Sequence, residues 1–350
     1  MVGLPFTRMF TAVAAMLLWI SAVPAPGQNP RESDAAPSSD PTMADGLRAL
    51  RDADVRVATI AFRLATANLD LCQDVAANAG VVLHDADQYS QAARDEARDV
   101  FGLGEWPGVS GVVSEGPADK AGIRADDALI AINGEPTVPR SPTAKVRESR
   151  RGDYAQMGRL LTRLQTALAQ GPVEIELLRD GRRITTTLAP VMACASAIQL
   201  MPSKKLHGGA DGQMISITTA LVDFAQNDDE LAIIIAHEMA HNALRHRASL
   251  DEQKVSRGLL SIFGANARKI RDTECAADHI GLFLAARAGY AIEVAPNFWR
   301  RFGRTYDFGP FSDPTHPSGK ERARAADATI AQIEELRTRG APVMPTADCP

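Results

Sequence analysis

Apolar residues recur along this chain at two periods, and the two periods separate it into regions. Residues 45–72 carry apolar side chains at helical spacing, which predicts one long helix. A second helix is predicted where the acidic start at 228–230 precedes the apolar residues 231–236, because acidic groups favour the amino end of a helix. A third covers residues 272–288, where only Gly281 opposes the helical pattern.

Between the first two helices the pattern changes to short strands. Residues 109–113 and 128–132 are apolar runs of strand length, and residues 173–177 alternate and return through 184–188 as a hairpin. Residues 154–168 predict a helix with one apolar face. The fold class expected from these patterns is α+β, with a mainly helical domain that contains a small sheet and a second, β-rich domain.

The second predicted helix contains His-Glu-Met-Ala-His at residues 237–241. Because a helix turns once per about 3.6 residues, His237 and His241 project from the same face. Two imidazoles so placed can share one zinc ion, and Glu238 beside them can act on water as the catalytic base. A chance match is expected in roughly one such chain per hundred. We therefore predict one Zn²⁺ per chain rather than packed or solvated histidines.

A catalytic zinc ion usually has three protein ligands and one open position. Glu274 is the predicted third ligand, and Asp278, four residues later, is predicted to accept the free ring N–H of a ligating histidine. Alone, the two carboxylates would be interpreted as solvated charges on a helix surface. After the His-Glu-x-x-His helix, they are interpreted as parts of the metal site.

These motifs resemble those of a known family. His-Glu-x-x-His followed by Glu-x-x-x-Asp on a later helix is the pattern of the gluzincin metallopeptidases related to the CAAX prenyl protease and to the HtpX-like and BepA-like envelope proteases. The resemblance covers about residues 193–330. It implies peptide-bond hydrolysis, in which zinc polarises the scissile carbonyl and Glu238 passes a proton from water to the leaving amine. One departure affects the substrate edge, since family members often carry Asn-Ala where this chain has Gly208-Gly209-Ala210.

Other histidines are weaker candidates. The resemblance places Thr315-His316-Pro317 in a loop close to the metal. His316 could there stabilise the oxyanion or fill the open metal position as a regulatory ligand, and an ordinary turn histidine is an equal alternative. His246 lies five residues beyond His241, off the ligand face, so it and His279 are assigned structural roles.

Residues 100–190 resemble a bacterial-type PDZ domain with an Arg-rich insertion at about 139–153. Such a domain binds an extended peptide as an added strand, so the resemblance implies protein or peptide partners with free C-termini. Phe101, Gly102, Leu103 and Gly104 are expected to offer N–H groups to the terminal carboxylate, and the helix at 154–168 to form the opposite wall. The stretches that carry this resemblance are 109–113, 114–118, 120–123 and 126–134.

The amino-terminal segment predicts export. Arg8 precedes an apolar run at 9–23 that ends in small residues, and this run is shorter than the ~20 residues that span a bilayer. A cleaved signal peptide is therefore expected at 1–27 and a disordered linker at 28–44. No cysteine follows the run to indicate lipoprotein processing. The mature protein is expected to be soluble and periplasmic, with peripheral membrane contact at most.

The expected domains after the linker are the helical first part of the protease at 45–99, the PDZ domain at 100–190, the metallopeptidase domain at 191–340 and a tail at 341–350. The net charge of −5, with both signs mixed, leaves no basic stripe, so nucleic acid is not an expected partner. The sequence carries no indication of oligomeric state.

Two classes of function compete. The first is an envelope zinc endopeptidase whose PDZ domain selects misfolded or C-terminally exposed proteins. The second is a binding or chaperone-like protein that keeps a latent, closed zinc site. Glu238 favours the first, because a binding module has no use for a general base at that position.

The four cysteines suggest one disulfide. Cys72 ends the first helix and Cys194 begins the segment after the PDZ domain, so an inserted PDZ domain would bring the two close together. An oxidising compartment would then join them. Cys275, next to Glu274, is expected to be a buried thiol, and Cys349 to lie in a frayed tail. The alternative is that all four are reduced.

Overall fold

The computed structural model describes residues 42–137, 153–255, 264–306, 317–346 and 349. The expected signal peptide, most of the expected linker, most of the Arg-rich insertion and His316 lie outside the described residues. The helices are α1 (Met43–Ala67), α2 (Arg94–Phe101), α3 (Pro117–Lys120), α4 (Ala155–Leu168), α5 (Thr219–Phe224), α6 (Asp228–Ala243), α7 (His246–Glu252), α8 (Gly264–Arg287), α9 (Ala295–Tyr306) and α10 (Gly319–Thr338).

Eleven strands are present among the described residues, arranged in a six-stranded sheet, a three-stranded sheet and a two-stranded ribbon. The α+β fold class is confirmed. The strands are β1 (Val75–Asn78), β2 (Val81–His84), β3 (Gly108–Val112), β4 (Ala128–Ile132), β5 (Glu135–Pro136), β6 (Val173–Arg179), β7 (Arg182–Leu188), β8 (Val191–Cys194), β9 (Ala197–Met201), β10 (Gly208–Ala210) and β11 (Met214–Thr218).

Helix α6 lies in the larger hydrophobic core of the molecule, in the mainly helical part that we call the body, and is buried around most of its circumference. Its first turn is capped by the Asn227 side chain, which accepts a hydrogen bond from the Glu230 N–H at 2.9 Å. Helix α8 packs directly against α6 at Gly281, where an added Cβ would lie 3.0 Å from the backbone N and Cα of His237. The glycine that opposed the helical pattern therefore allows this close approach.

A small sheet lies beside α6. Strand β11 is central, parallel to β9 and antiparallel to β10, so β10 forms one edge. Among the described residues β10 pairs with β11 alone, which leaves its outer side available to a further strand.

Helix α1 is shared by the two halves of the molecule. Its carboxyl half contributes Val57, Ile60 and Leu64 to the core around α6. Its amino half packs on the six-stranded sheet, where Val55 lies so close to Gly111 that a Cβ there would meet it at 2.4 Å. One continuous helix therefore contacts both the body and the inserted domain.

The six-stranded sheet has the strand order β2-β3-β4-β6-β7, with β5 beside β4. Helix α4 covers it through Met157, Leu160 and Leu164, all buried. The sheet begins at Val81, earlier than the expected domain start at residue 100, because β2 pairs with β3 across the intervening α2. This long-range pairing leaves no local signal in the sequence.

The inserted domain is connected to the body by a narrow ribbon. Strand β1 pairs antiparallel with β8, and a disulfide joins Cys72 to Cys194 with a Cα–Cα distance of 5.5 Å. The two ends of the insertion therefore meet at one place.

The expectation of a free Cys275 thiol and a frayed Cys349 was wrong. The two are joined by a disulfide with a Cα–Cα distance of 6.0 Å. The tail residues 341–346 fold back so that Val343 O and Met344 Sδ accept hydrogen bonds from Arg287, which brings the tail to α8. Within the described ranges, no helix combines the length and the apolar character needed to cross a bilayer.

Candidate metal centre

Three polar side chains from two helices converge at the contact between α6 and α8. The Nε2 atoms of His237 and His241 lie 3.3 Å apart. Glu274 places one carboxylate oxygen 3.4 Å from His237 Nε2 and the other 3.4 Å from His241 Nε2. All three residues are buried or nearly so.

These spacings are compatible with a tetrahedral metal site, although the two 3.4 Å contacts involve different oxygens of Glu274. We call the three residues the metal triangle. Bonds of about 2.1 Å to nitrogen and oxygen in a tetrahedron separate the ligand atoms by about 3.4 Å. Two imidazoles and a carboxylate are also a common donor set of a catalytic zinc. The residues present therefore fit a zinc ion.

The electrostatics of the site favour a cation. Burial and the charge of Arg322 lower the pKa of His237, but hydrogen bonds to Asp278 and Glu274 outweigh both and raise it to about 10. The same two carboxylates that stabilise a proton there would stabilise a metal ion.

His237 is oriented from behind by Asp278. The Oδ1 atom of Asp278 lies 2.9 Å from His237 Nδ1, and Asp278 is 8 % exposed. A proton on Nδ1, donated to this carboxylate, leaves the lone pair of Nε2 facing the other two ligand atoms.

His241 has a different partner, which sequence reasoning missed. Its Nδ1 lies 3.0 Å from Nδ1 of His246. His246 lies off the helical ligand face by spacing, but α6 ends before it, and Arg245 adopts a left-handed conformation with φ 52° that begins α7 in a new direction. Burial lowers the pKa of His246 to about 4, so His246 is neutral and can accept the proton of His241 Nδ1.

The His246 side of the site is open to solvent. A cavity of about 220 Å³ lies beside it, lined by Leu250, Gln253, Lys269, Asp272 and Thr273. The side chain of His241 is 16 % exposed and that of His237 is 8 % exposed. Access to the centre is therefore greater from the side of His241.

Glu238 lies between the metal triangle and the edge strand. An added Cβ at Gly208 would lie 2.9 Å from its Oε1 atom. Burial raises the pKa of Glu238 to about 7, with a smaller raising effect from Glu274. A carboxyl group with such a pKa can accept and return a proton near neutral pH.

Two further residues at the centre come from helices that sequence reasoning did not connect with it. Arg322 of α10 donates from Nε to Asp278 Oδ2 at 2.8 Å and from Nη2 to Oδ1. Trp299 of α9 packs edge-on against the His237 ring with a centroid distance of 6.0 Å. Neither residue stands in a motif with the ligands, so no spacing signal could have found them. His279 faces away, with Nδ1 2.9 Å from the hydroxyl of Thr329.

The carboxylate-binding role of Phe101, Gly102, Leu103 and Gly104 stays a prediction, and two of these four N–H groups already have partners within the protein. The N–H groups of Gly102 and Leu103 both donate to Arg98 O and close α2. Phe101 and Leu103 are buried in a cluster with Leu47 of α1. Their apolar pattern therefore reflects packing against α1, and the free edge of the sheet next to this segment belongs to β2.

Two family models match the chain. Residues 206–270, which include His237, Glu238 and His241, match peptidase family M48. Residues 108–151 match the PDZ domain.

Curated relatives are similar over part of the chain. A mitochondrial metalloendopeptidase OMA1 of Arabidopsis thaliana is 32% identical over 128 residues, which is 31% of this chain and 26% of the relative. The OMA1 of Schizosaccharomyces pombe is 28% identical over 39% of this chain and 45% of the relative. A putative beta-barrel assembly-enhancing protease of Vibrio cholerae is 27% identical over 36% and 32%. The matches thus span less than half the length of these relatives.

The similar solved structures have low TM-scores. The HtrA3 PDZ domain bound to a phage-derived ligand covers 34% of this chain and 89% of its own length, with 16% identity and a TM-score of 0.23. At that score the likeness supports no argument. The family models thus support the resemblance predicted from the sequence, with a segment similar to peptidase family M48 around the candidate metal ligands and a PDZ segment before it.

Proposed function

We propose that this protein is a zinc-dependent endopeptidase that hydrolyses peptide bonds in protein substrates. The observation that carries the proposal is the metal triangle, in which the two histidine Nε2 atoms lie 3.3 Å apart and each lies 3.4 Å from one oxygen of Glu274. The buried carboxyl group of Glu238 lies next to it. Peptidases of this kind need a metal site and a proton acceptor side by side.

A zinc ion held by these three residues would supply a Lewis acid that polarises a peptide carbonyl and acidifies water. Glu238 is the group that accepts the proton from water and delivers it to the leaving amine, and its pKa of about 7 suits both steps. Asp278 and His246 hold the outer nitrogens of the two histidines, so the inner nitrogens keep their lone pairs.

The edge of β10 is where the scissile segment of a substrate would lie. An extended peptide can add to a free strand edge through backbone hydrogen bonds, and β10 runs beside Glu238. Strand β10 has the sequence Gly208-Gly209-Ala210, so a single methyl group is its only side chain. We expect recognition at this edge to be dominated by the peptide backbone.

The PDZ domain would select the substrate. An extended chain terminus can pair with the edge of β2, and α4 lies on the same sheet. Misfolded proteins and proteins with exposed C-termini are the proposed substrates. The apolar run at 9–23 and the two disulfides favour an exported, periplasmic protein with peripheral membrane contact at most.

The second candidate, a binding protein with a closed zinc site, is less well supported. A closed site needs a fourth protein ligand, and the candidate for that role, His316, lies outside the described residues. The first candidate is favoured because a buried carboxyl group such as Glu238 has no use as a base in a closed site.

The test is proteolysis of an unfolded protein by the purified zinc-loaded chain. Glu238→Gln should lower the rate about 10²- to 10⁴-fold with the metal content unchanged. The matched control is Glu252→Gln, an exposed residue of α7, which should keep full activity. A wild-type protein that binds zinc but cleaves no unfolded substrate would favour the second candidate, and full activity in Glu238→Gln would remove Glu238 from the mechanism.

A further inference from the structure

Arg322 is a buried charge that the proposed mechanism does not use. Its side chain is 8 % exposed, and its guanidinium engages both oxygens of Asp278, 44 residues away in the chain. A fork-to-fork pair of this kind restricts the rotation of the carboxylate more than a single contact does.

The guanidinium is held in turn by Trp299. The central carbon of the group lies 3.3 Å from the centroid of the Trp299 ring, which itself contacts His237. The ring face stabilises the cation, and the packing leaves the guanidinium little room to move. Arg322, Trp299, Asp278 and His237 therefore form one continuous contact group.

Arg322 does not hold His237 directly. Its Nη2 lies 3.1 Å from His237 Nδ1. His237 needs its Nε2 lone pair for a metal, so its ring proton is on Nδ1, and two N–H groups face each other across this distance. The attractive contact of His237 is with Asp278, at 2.9 Å, and any action of Arg322 on the ligand passes through that carboxylate.

We propose that Arg322 is a positioning residue for the metal site, a role that rests on the proposed zinc site. By engaging both oxygens of Asp278, it leaves one lone pair of Oδ1 directed at His237, which fixes the ring orientation and keeps the proton on Nδ1.

The test measures zinc affinity in the Glu238→Gln background, by competition with a chromophoric chelator, so that it does not depend on hydrolysis. Arg322→Gln should weaken zinc binding about 10- to 100-fold, the range found when groups that support metal ligands are lost. Arg322→Lys, which keeps the positive charge but cannot bind both oxygens of Asp278 in the same bidentate way, should show a smaller loss of zinc affinity. The matched control is Arg300→Gln, since Arg300 also links α9 to α10 through Asp327 but is exposed, and it should leave the affinity unchanged.

A second readout separates positioning from packing. Once Asp278 is replaced by Asn, adding Arg322→Gln should weaken zinc binding little further, because the two residues act in series. The inference is overturned if Arg322→Gln lowers the melting temperature of the metal-free and zinc-loaded proteins equally at unchanged zinc affinity, or if the two losses add. Should Arg322→Gln fail to fold, the same comparisons are made with Arg322→Lys. A wild-type protein without zinc affinity would overturn the metal site and this inference together, whereas zinc binding without proteolysis would overturn the proposed function alone.

Discussion

The metallopeptidase body and the PDZ domain each contain a two-pronged arginine–aspartate pair, and the two pairs have different surroundings. In the PDZ domain, Arg179 donates to the two oxygens of Asp127 at 2.6 and 2.7 Å, and Asp127 also accepts the Arg124 N–H. In the body, Asp278 receives Arg322 and also contacts His237. The same ion pair closes a turn in one region and orients a candidate metal ligand in the other.

The buried polar residues follow the same division. In and beside the PDZ sheet they are His84, Asp85, Ser110, Asp127 and Thr137, and the core under α4 is apolar. In the body many are collected between α6, α8 and α10: Glu230, His237, Glu238, Asn242, Glu274, Asp278, His279, Arg322 and Thr329. We therefore expect substitutions of these buried polar residues to remove function in the body and stability in the PDZ domain.

The largest expected effect is on the metal. His237→Ala should reduce bound zinc from about one ion per chain to none, because two remaining protein ligands hold zinc weakly. Asp127→Asn should keep the zinc and lose about 1–3 kcal/mol of unfolding free energy. Metal analysis measures the bound zinc, and urea denaturation measures the free energy of unfolding. Full zinc retention by His237→Ala would contradict the assignment of a functional role to the buried polar residues of the body.

The disulfides give the next effect. Replacing Cys72 and Cys194 by serine opens a loop with a sequence separation of 122, which should lower the free energy of unfolding by up to about 4 kcal/mol. Denaturation of the oxidised protein and its variant checks this value. Peptide mapping of the non-reduced wild type is the companion experiment. A free Cys72 thiol there would contradict the disulfide that joins the two ends of the PDZ insertion.

The smallest effect compares two helical glycines. Gly281→Ala in α8 should destabilise the protein by about 1–3 kcal/mol, because the new Cβ would lie 3.0 Å from the His237 backbone. Gly158→Ala in α4 meets nothing within 4 Å and should stabilise its helix by about 0.5–1 kcal/mol. If the melting temperatures of both variants shifted in the same direction, the two helices would be packed alike.

Local geometry explains what the sequence could predict. Four-residue spacing on a helix is enough to pair His237 with His241 and Glu274 with Asp278, since one helical turn fixes both. The contacts of Arg322, Trp299 and His246 depend on where separate helices meet, and single-sequence spacing carries no information about that.

The assignment of residues 101–104 to a carboxylate-binding loop shows the same limit. A Phe-Gly-Leu-Gly segment is compatible with a ligand-binding loop and with a helix end, and Gly102 at φ 61° closes α2 in this protein. The helix end is stabilised by contact with the neighbouring α1, because Leu47 packs in one buried cluster with Phe101 and Leu103. The pairing of Cys275 with Cys349 likewise depends on the tail returning to α8.

That second disulfide has a consequence for how a molecule of this protein is completed during biosynthesis. Cys275 directly follows Glu274, and its partner Cys349 is the last of the four cysteines to leave the ribosome. A chain whose synthesis stops before residue 349 carries the complete metal triangle but cannot form the bond that ties the helix of Glu274 to the tail. Oxidation of this pair is therefore a chemical record that translation has passed residue 349.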